Sequence, residues 1–166
     1  MKTALHTLFS TSAILVSLNA FAYPAKGDNA TYEVSSVSQG QTVNLIMVDT
    51  ITAIDPTNGD MTIKQSIQLN GVEVQSQEQV QTLAKLQNLT QLIDHCLQLP
   101  AQYSAKLETI SVPYGTVNTC HITVTQQSGV VDQWIGKVPF AIVQQKVTAT
   151  DGSVALVALK ASNVKF

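Results

Sequence analysis

The sequence predicts an α+β domain in which an antiparallel β-meander of about eight or nine strands packs on one long amphipathic helix, residues 77–98. Segments rich in Val, Ile and Thr are interrupted at intervals by turn-forming residues, which is typical of a β-rich chain. One segment instead has apolar residues three or four apart, which is the period of a helix. Because 45% of the residues are hydrophobic and 12% are charged, a disordered chain is excluded.

Residues 1–22 have the pattern of a secretory signal peptide. Lys2 precedes an apolar run, and Ala20 and Ala22 are the small residues that a signal peptidase accepts. The run is too short and too interrupted by Ser and Thr to remain as a membrane anchor. No cysteine follows it for lipid attachment, and no later stretch is apolar enough to cross a membrane. We therefore expect a single globular domain, residues 23–166, that is soluble and either periplasmic or secreted.

Turn signals divide this domain into strands. The polar residues 55–60 separate a strand near 42–54 from one near 61–69. Asn70-Gly71 and Asp151-Gly152 are two-residue hairpin signals, because both central positions of a type I′ turn need a positive φ. Looser turns are predicted at Pro113-Tyr114-Gly115 and Gln127-Ser128-Gly129.

The side-chain pattern predicts how two of the strands lie. From Met61 to Leu69 apolar and polar residues largely alternate, which predicts a strand with one buried face and one solvent-exposed face. Residues 154–159 are apolar on both faces, so this last strand should be central in the sheet.

The predicted helix has an apolar stripe and polar residues on its other side. Ser76 is placed to cap its first turn, with Gln79 completing a capping box, and Pro100 stops it. We expect the stripe to lie on the sheet, because a seam to a second chain is less typical of one helix in a β-rich domain. The stripe consists of Val80, Leu83, Leu86, Leu89, Leu92, Ile93, Cys96 and Leu97.

The charged residues exclude nucleic acid as a partner. All nine basic residues are lysine, and the formal net charge is −2. Without arginine the chain lacks the guanidinium group that binds phosphate through two parallel hydrogen bonds. A chain with a net negative charge also lacks the basic patch to which DNA or RNA binds. Gln, Thr, Ser and Asn replace charged residues and predict a neutral polar surface.

Cys96 and Cys120 are predicted to form a disulfide that links the helix to the sheet. Cys96 lies on the apolar stripe, Cys120 lies in a strand, and an exported protein folds where disulfides form. The neighbouring His95 and His121 suggest zinc as an alternative. Side chains of adjacent strand residues point to opposite faces, however, so His121 should point away from Cys120. No metal ligand is therefore assigned, and free thiols are the remaining alternative.

No catalytic residue and no cofactor is predicted. His95 and His121 are the histidines that could serve as a base in the domain, and no Gly-x-Ser-x-Gly elbow provides a nucleophile. Asp49 interrupts an apolar strand and Asp132 lies near Trp134, which makes each a weak carboxylate candidate. No phosphate-binding, zinc-protease or calcium motif is present.

Two segments resemble known sequences. Residues 108–120, with Val112-Pro113-Tyr114-Gly115-Thr116, resemble the Val-Pro-Ala-Gly-Thr-Phe-x-x-Cys hairpin of uncharacterised exported bacterial β-sheet proteins, departing at Tyr114 and Val117. Residues 132–143 are similar to their "Trp…Val-Pro-Phe…Val" strand pair. The resemblance implies a curved antiparallel sheet that curls partway round a helix, as in lipoprotein-carrier half-barrels.

The leading functional hypothesis is a non-enzymatic cell-envelope protein with a binding or assembly role. One variant has the sheet and helix enclosing an apolar or lipid ligand, because small and aliphatic residues are expected to face inward, with few large aromatic residues to fill the core. The small and aliphatic residues are Ala141, Val143, Val147, Ala149 and Leu156. The alternative is a secreted interaction module or inhibitor that binds an envelope protein partner through a strand edge. A hydrolase is a third, less favoured class.

Overall fold

A computed structural model describes residues 24–164, so the expected signal peptide, residues 1–22, lies outside the described residues. Nine strands, one short α-helix and two 3-10 helices are the regular elements of the described chain. The strands are β1 (Asn29–Ser38), β2 (Gln41–Ile54), β3 (Met61–Leu69), β4 (Val72–Gln81), β5 (Lys106–Val112), β6 (Gly115–Gln126), β7 (Gly129–Gly136), β8 (Ile142–Ala149) and β9 (Val154–Ser162). The predicted strands near 42–54 and 61–69 are confirmed almost to the residue.

All nine strands pair in one curved antiparallel sheet in the order β4-β3-β2-β1-β9-β8-β7-β6-β5. The single meander that was expected is instead two meanders, because the first strand pairs with the last: Tyr32 lies opposite Leu159. The apolar strand at residues 154–159 is therefore central, as predicted. The helical segment connects the two outer edges of the sheet, β4 and β5.

The helix predicted for residues 77–98 is wrong in its first turn and in its length. The α-helix, α1, is Leu83–Gln91, and a 3-10 helix, Leu92–Gln98, continues it. Residues 77–81 belong to β4, which pairs with β3 as far as Met61 opposite Gln81. The Asn70-Gly71 turn folds β4 back along β3, so these residues make ladder hydrogen bonds that an early helix would forfeit. The protein is therefore mostly β, with residues 83–98 as its main helical segment.

Both ends of the predicted apolar stripe lie outside the core. Val80 and Leu97 are each 70% exposed, whereas Leu86 is 3% and Cys96 is 1% exposed. Thr82, not Ser76, caps the helix, because its side chain accepts a hydrogen bond from the Lys85 backbone N–H at 3.2 Å. Val80 is the one residue of the predicted stripe that precedes Leu83, and its position is compatible with the period of a helix and with that of a strand. It lies in a strand because β4 pairs with β3.

The core lies between the inner face of the sheet, defined as the face that the helical segment covers, and that segment. The segment packs on β5, β6 and β7. Tyr32, Ile51, Met61, Ile63, Ile135 and Leu159 are each at most 1% exposed. Because the helical segment lies over β5, β6 and β7, the inner face of β2, β3 and β4 is partly accessible to solvent. Within residues 24–164, no helix has the length and apolar character needed to cross a membrane.

The hairpin turns follow the sequence in one case and depart from it in another. Asn70 and Gly71 have φ values of 52° and 80°, as a type I′ turn requires. At Asp151-Gly152 only Gly152 has a positive φ, of 84°, so the expected type I′ turn is wrong. A longer loop joins β8 to β9 there, and Asp151 Oδ1 accepts hydrogen bonds from the backbone N–H and hydroxyl of Ser153.

Candidate functional site

A groove of about 510 Å³ lies on the inner face of the sheet beside α1. Its volume falls within the usual range for small-molecule sites, roughly 300–1,000 Å³. Its apolar lining consists of Tyr32, Met47, Ile63, Leu89, Phe140, Ile142 and Val157. Its polar lining consists of Asp49, Gln65, Gln79, Gln81, Lys85, Gln133 and Gln145.

The groove follows from the alternation of β4 and the position of the helical segment. Gln79 and Gln81 lie opposite the buried Ile63 and Met61 in the ladder with β3, so they point to the inner face. Lys85 lies on α1 and forms part of the opposite wall. Residues 77–81 of β4, which the sequence pattern assigns to the helix, therefore supply one side of the site.

A chain of hydrogen bonds runs across three strands on the floor of the groove. The Gln77 side-chain amide donates to Gln65 Oε1 at 2.9 Å, and the Gln65 amide donates to Asp49 Oδ1 at 3.0 Å. Both donors point the same way, so Gln77 orients Gln65, and Gln65 holds Asp49. On the other side of the groove, the Gln133 amide donates to Gln145 Oε1 at 3.3 Å.

Asp49 is the single carboxylate in the groove lining. Burial raises the pKa of its carboxyl group, and the hydrogen bond from Gln65 opposes that rise without cancelling it. Among residues 24–164 no cation forms an ion pair with Asp49, and the lysine that lines the groove, Lys85, does not reach it. Asp49 thus keeps a carboxylate in a half-buried position with a neutral partner.

Cys96 and Cys120 come together where the helical segment meets β6. Their Sγ atoms are 2.03 Å apart and their Cα atoms are 5.5 Å apart, which is the geometry of a disulfide. Both residues are at most 1% exposed. The pair holds the helical segment over the C-terminal half of the sheet, and so fixes the wall of the groove.

His121 lies on the outer face of the sheet, opposite to the face on which Cys120 is buried. Its ring stacks on that of Trp134 in β7 with centroids 4.2 Å apart. Nε2 lies 3.0 Å from Asp132 Oδ1, and Nδ1 lies 2.9 Å from Glu108 Oε1. The second contact is electrostatic, because the Glu108 oxygen is not aligned for a hydrogen bond.

Both carboxylates that flank His121 are stabilised in their charged form. Lys106 and Trp134 donate hydrogen bonds to Glu108 and lower its pKa against the effect of burial. Burial raises the pKa of Asp132, but hydrogen bonds from Thr123 and His121 outweigh it, so the net pKa is lowered. Because a carboxylate lies at each ring nitrogen, neither nitrogen is open to act as the base of a serine hydrolase.

His95, the other histidine considered as a base, is exposed in the 3-10 helix. Its Nδ1 lies 3.2 Å from Gln98 Oε1, and no carboxylate of residues 24–164 forms an ion pair with the ring. The structure therefore does not bring His95 and His121 together with each other. Within the described part of the chain, no group of three His, Cys, Asp or Glu side chains is arranged to hold a metal ion.

A second depression, of about 480 Å³, lies on the outer face across β9, β1, β2 and β3. Leu156 lines it, so the expectation that Leu156 faces inward is wrong. Leu159 is buried in the core, and Leu156, three residues away in the same unbroken register with β1, lies on the opposite face by strand alternation. This depression lacks a buried ionisable group, and we regard the inner groove as the candidate site.

The sequence pattern indicates Asp49 as a carboxylate candidate but does not indicate that the glutamines line a site. Their signal was present in the sequence: Gln75, Gln77, Gln79 and Gln81 alternate with other residues at the period of a strand. Because long polar side chains on alternate positions normally face solvent, this pattern does not by itself indicate a groove.

The fold resembles that of proteins with solved structures. A predicted exported protein with a YmcC-like fold from Bacteroides fragilis NCTC 9343 aligns with a TM-score of 0.55 and 10% identity, over 84% of this chain and 96% of that chain. MucB in the Pseudomonas aeruginosa MucA/MucB complex aligns with a TM-score of 0.47 and 12% identity, over 83% of this chain and 52% of MucB. The chain thus spans about half the length of MucB.

A Vibrio parahaemolyticus domain assigned to outer-membrane lipoprotein sorting aligns more loosely, with a TM-score of 0.32 and 7% identity over 84% of this chain and 86% of that one. The likeness to the first of these three proteins shows a shared fold. No protein-family model matches the chain, and a search of the curated proteins finds no significant match.

Proposed function

We propose that this protein is a non-enzymatic binding protein of the cell envelope, which holds a ligand with an apolar chain in the inner groove. The observation that carries the proposal is the incomplete cover of the inner face. Met47, Ile142 and Val157 line the groove and are only partly buried, although they continue the core. An apolar chain laid on them would complete their burial at about 25 cal/mol per Å² of apolar surface.

The neighbouring inner face extends this apolar track. Val34 lies opposite Leu45 on one side and Val157 on the other, and all three are partly buried. The amides of the groove lie beside this track and could orient a polar end of the ligand. A mixed lining of this kind fits an amphiphile better than a purely apolar molecule.

Export and the limits of the domain are parts of the same proposal. Residues 1–22 would be removed as a signal peptide, and residues 23–166 would form one domain in the periplasm or outside the cell. The pairing of Cys96 with Cys120 supports an oxidising compartment. The exported Bacteroides fragilis protein that shares the fold is in line with this location.

Native mass spectrometry of the protein purified from its own envelope fraction tests the proposal, together with extraction of bound lipid. Val157→Phe would fill the groove and should release the ligand. Leu156→Phe adds the same ring to the outer face of the same strand and is the matched control. A wild-type protein with no bound amphiphile, both as purified and after incubation with lipid extract, would contradict the proposal.

A second candidate function is recognition of a protein partner through the free edge of β4. This strand is at the end of the sheet, and Val72, Val74 and Val80 are 65%, 58% and 70% exposed. It carries Glu73 and Glu78 and has neither lysine nor proline, the residues that commonly block an edge. An extended, lysine-bearing segment of the partner would complement it as an added strand.

Lysine substitutions on the edge distinguish this function from ligand binding. Val74→Lys with Val80→Lys should abolish co-purification of a stoichiometric protein partner. Leu107→Lys on β5, the opposite edge, is the control. Unchanged co-purification with the β4 double variant would rule out this edge.

A further inference from the structure

We infer that Asp49 binds an ammonium group, so that the ligand of the groove is an amphiphile with a cationic amine head rather than a neutral or acidic one. This inference rests on the proposed function of the groove and specifies its ligand class. It depends on the contacts of one carboxylate and on the charges around it.

Asp49 offers a hydrogen-bond acceptor to the groove. Its Oδ1 accepts one hydrogen bond, from the Gln65 amide, and an ionised carboxylate has acceptor capacity for further donors. Gln65 is held in place by Gln77, so Asp49 is fixed by two side chains in series. An ammonium group has N–H donors that could use this capacity while leaving the Gln65 contact intact.

The charges of the surrounding residues leave Asp49 without a counter-ion. Among the described residues, the lysines in ion pairs are bound to Glu73, Glu108, Asp94 and Glu33. Lys85 lines the helical wall of the groove but is exposed and makes no ion pair with Asp49. A half-buried carboxylate with a neutral partner is unfavourable for the fold, and a bound cation would offset that cost.

A purely structural role does not require the charge. If Asp49 served only to accept the Gln65 amide, asparagine could provide the same acceptor with no ionised group to desolvate. Burial raises the pKa of Asp49, and the hydrogen bond from Gln65 does not fully offset this cost of holding the charge in the groove. Residues with this combination of cleft position and uncompensated charge are candidates for ligand contacts.

Three probes with the same twelve-carbon chain test the inference: dodecylammonium, dodecanol and dodecanoate. Isothermal titration calorimetry at pH 7, below the micelle concentration of each probe, compares the wild-type protein with Asp49→Asn. We expect the wild-type protein to bind dodecylammonium at least roughly tenfold more tightly than the other two, since a hydrogen bond to a charged group is worth about that factor or more. Asp49→Asn should lose that advantage and leave the binding of dodecanol unchanged.

Glu33→Gln is the matched control, because Glu33 is an exposed carboxylate on the outer face of β1. It lowers the net negative charge by the same amount and should leave all three affinities unchanged. Equal loss of dodecylammonium affinity in both variants would assign the effect to net charge and overturn the inference.

The remaining outcomes separate this inference from the proposed function. Binding of all three probes with equal affinity, and without an effect of Asp49→Asn, would overturn the role of Asp49 and leave the groove as an apolar site. Loss of all three probes in Asp49→Asn would show a structural role instead. Asp49→Ser, which removes the charge with a smaller side chain, checks that result. Failure of the wild-type protein to bind any probe would contradict the groove function itself.

Discussion

His121 and Trp134 stack face to face across β6 and β7, with ring centroids 4.2 Å apart and planes inclined by 16°. The Trp134 indole N–H donates to the Glu108 carboxylate, which also lies 2.9 Å from His121 Nδ1. The outer face of β5, β6 and β7 is therefore joined by a cluster of ring contacts and charges. We interpret this cluster as a set of contacts that stabilises the pairing of β5, β6 and β7.

The first prediction concerns the acid stability that Asp132 provides. Because its folded-state pKa is lowered, its contribution is fully present above the unfolded-state value, about 3.9, and is lost as the pH falls further through the folded-state pKa. Urea unfolding between pH 6 and pH 2.5 should show a steeper loss of stability below pH 4 in the wild-type protein than in Asp132→Asn. Asp94→Asn, an exposed carboxylate outside the cluster, serves as the control. Parallel pH curves for wild type and Asp132→Asn would contradict the prediction.

The second prediction concerns the cysteine pair. The cysteines are 24 residues apart, and the chain-entropy model gives a stabilisation of roughly 3.5 kcal/mol for a loop of that length. Cys96→Ser with Cys120→Ser should lower the free energy of unfolding by about that amount. Titration of the purified protein with a thiol reagent in denaturant should find no reactive thiol before reduction. Two reactive thiols in the unreduced protein would disprove the disulfide.

The third prediction distinguishes the observed helical segment from the longer helix that the sequence pattern suggested. A helix over residues 77–98 would place Val80 and Leu86 on the same buried stripe. In the structure Leu86 is 3% exposed and Val80 is 70% exposed. Leu86→Ala should therefore cost about 2–5 kcal/mol, and Val80→Ala about 0.5 kcal/mol or less. Similar costs for both substitutions in chemical denaturation would favour the longer helix.

The fourth prediction locates the start of α1 through its cap. Thr82→Ala removes the hydrogen bond to the Lys85 backbone N–H and should cost about 1 kcal/mol. Ser76→Ala alters an exposed position in the middle of β4 and should change the free energy of unfolding by less than about 0.5 kcal/mol. Thermal unfolding of the two variants measures both effects. A larger loss of unfolding free energy for Ser76→Ala than for Thr82→Ala would support Ser76 as the helix cap, as the sequence predicts.

The fifth prediction concerns Asp49 in the absence of ligand. Because burial raises its folded-state pKa, ionised Asp49 opposes folding above the unfolded-state pKa, and that penalty disappears as the pH falls below it. Asp49→Asn should therefore raise the melting temperature at pH 7 and lose this advantage near pH 3. The gain should be on the order of 1 kcal/mol at most. A lower melting temperature for Asp49→Asn at pH 7 would show that the charge stabilises the unliganded fold.

Local signals in the sequence were sufficient for the strands that tight turns delimit. Asn70-Gly71 and the polar residues 55–60 predicted both ends of β3, because positive φ values and side-chain-to-backbone hydrogen bonds are properties of neighbouring residues. The alternation of β3 also predicted its buried face, where Met61 and Ile63 are fully buried. The central position of the last strand followed from its apolar residues on both faces.

The sequence could not decide where the helix begins or which strands pair. Residues 77–81 are compatible with a helix, and they form a strand because β3 provides a full ladder of partners beside them. The pairing of the first strand with the last joins residues more than 120 positions apart, such as Tyr32 and Leu159, and no local pattern encodes it.

The sequence by itself determined that the chain is β-rich, carries an export pattern, lacks arginine and has two cysteines suited to a link between helix and sheet. The tertiary structure alone decided that Asp49 and the glutamines of β3 and β4 line a groove while His121 is enclosed on the opposite face. The physical reason is that turns and strand alternation depend on adjacent residues, whereas a groove depends on which distant elements cover the sheet. Here the helical segment covers β5 to β7 and leaves the inner face of β2 to β4 partly open.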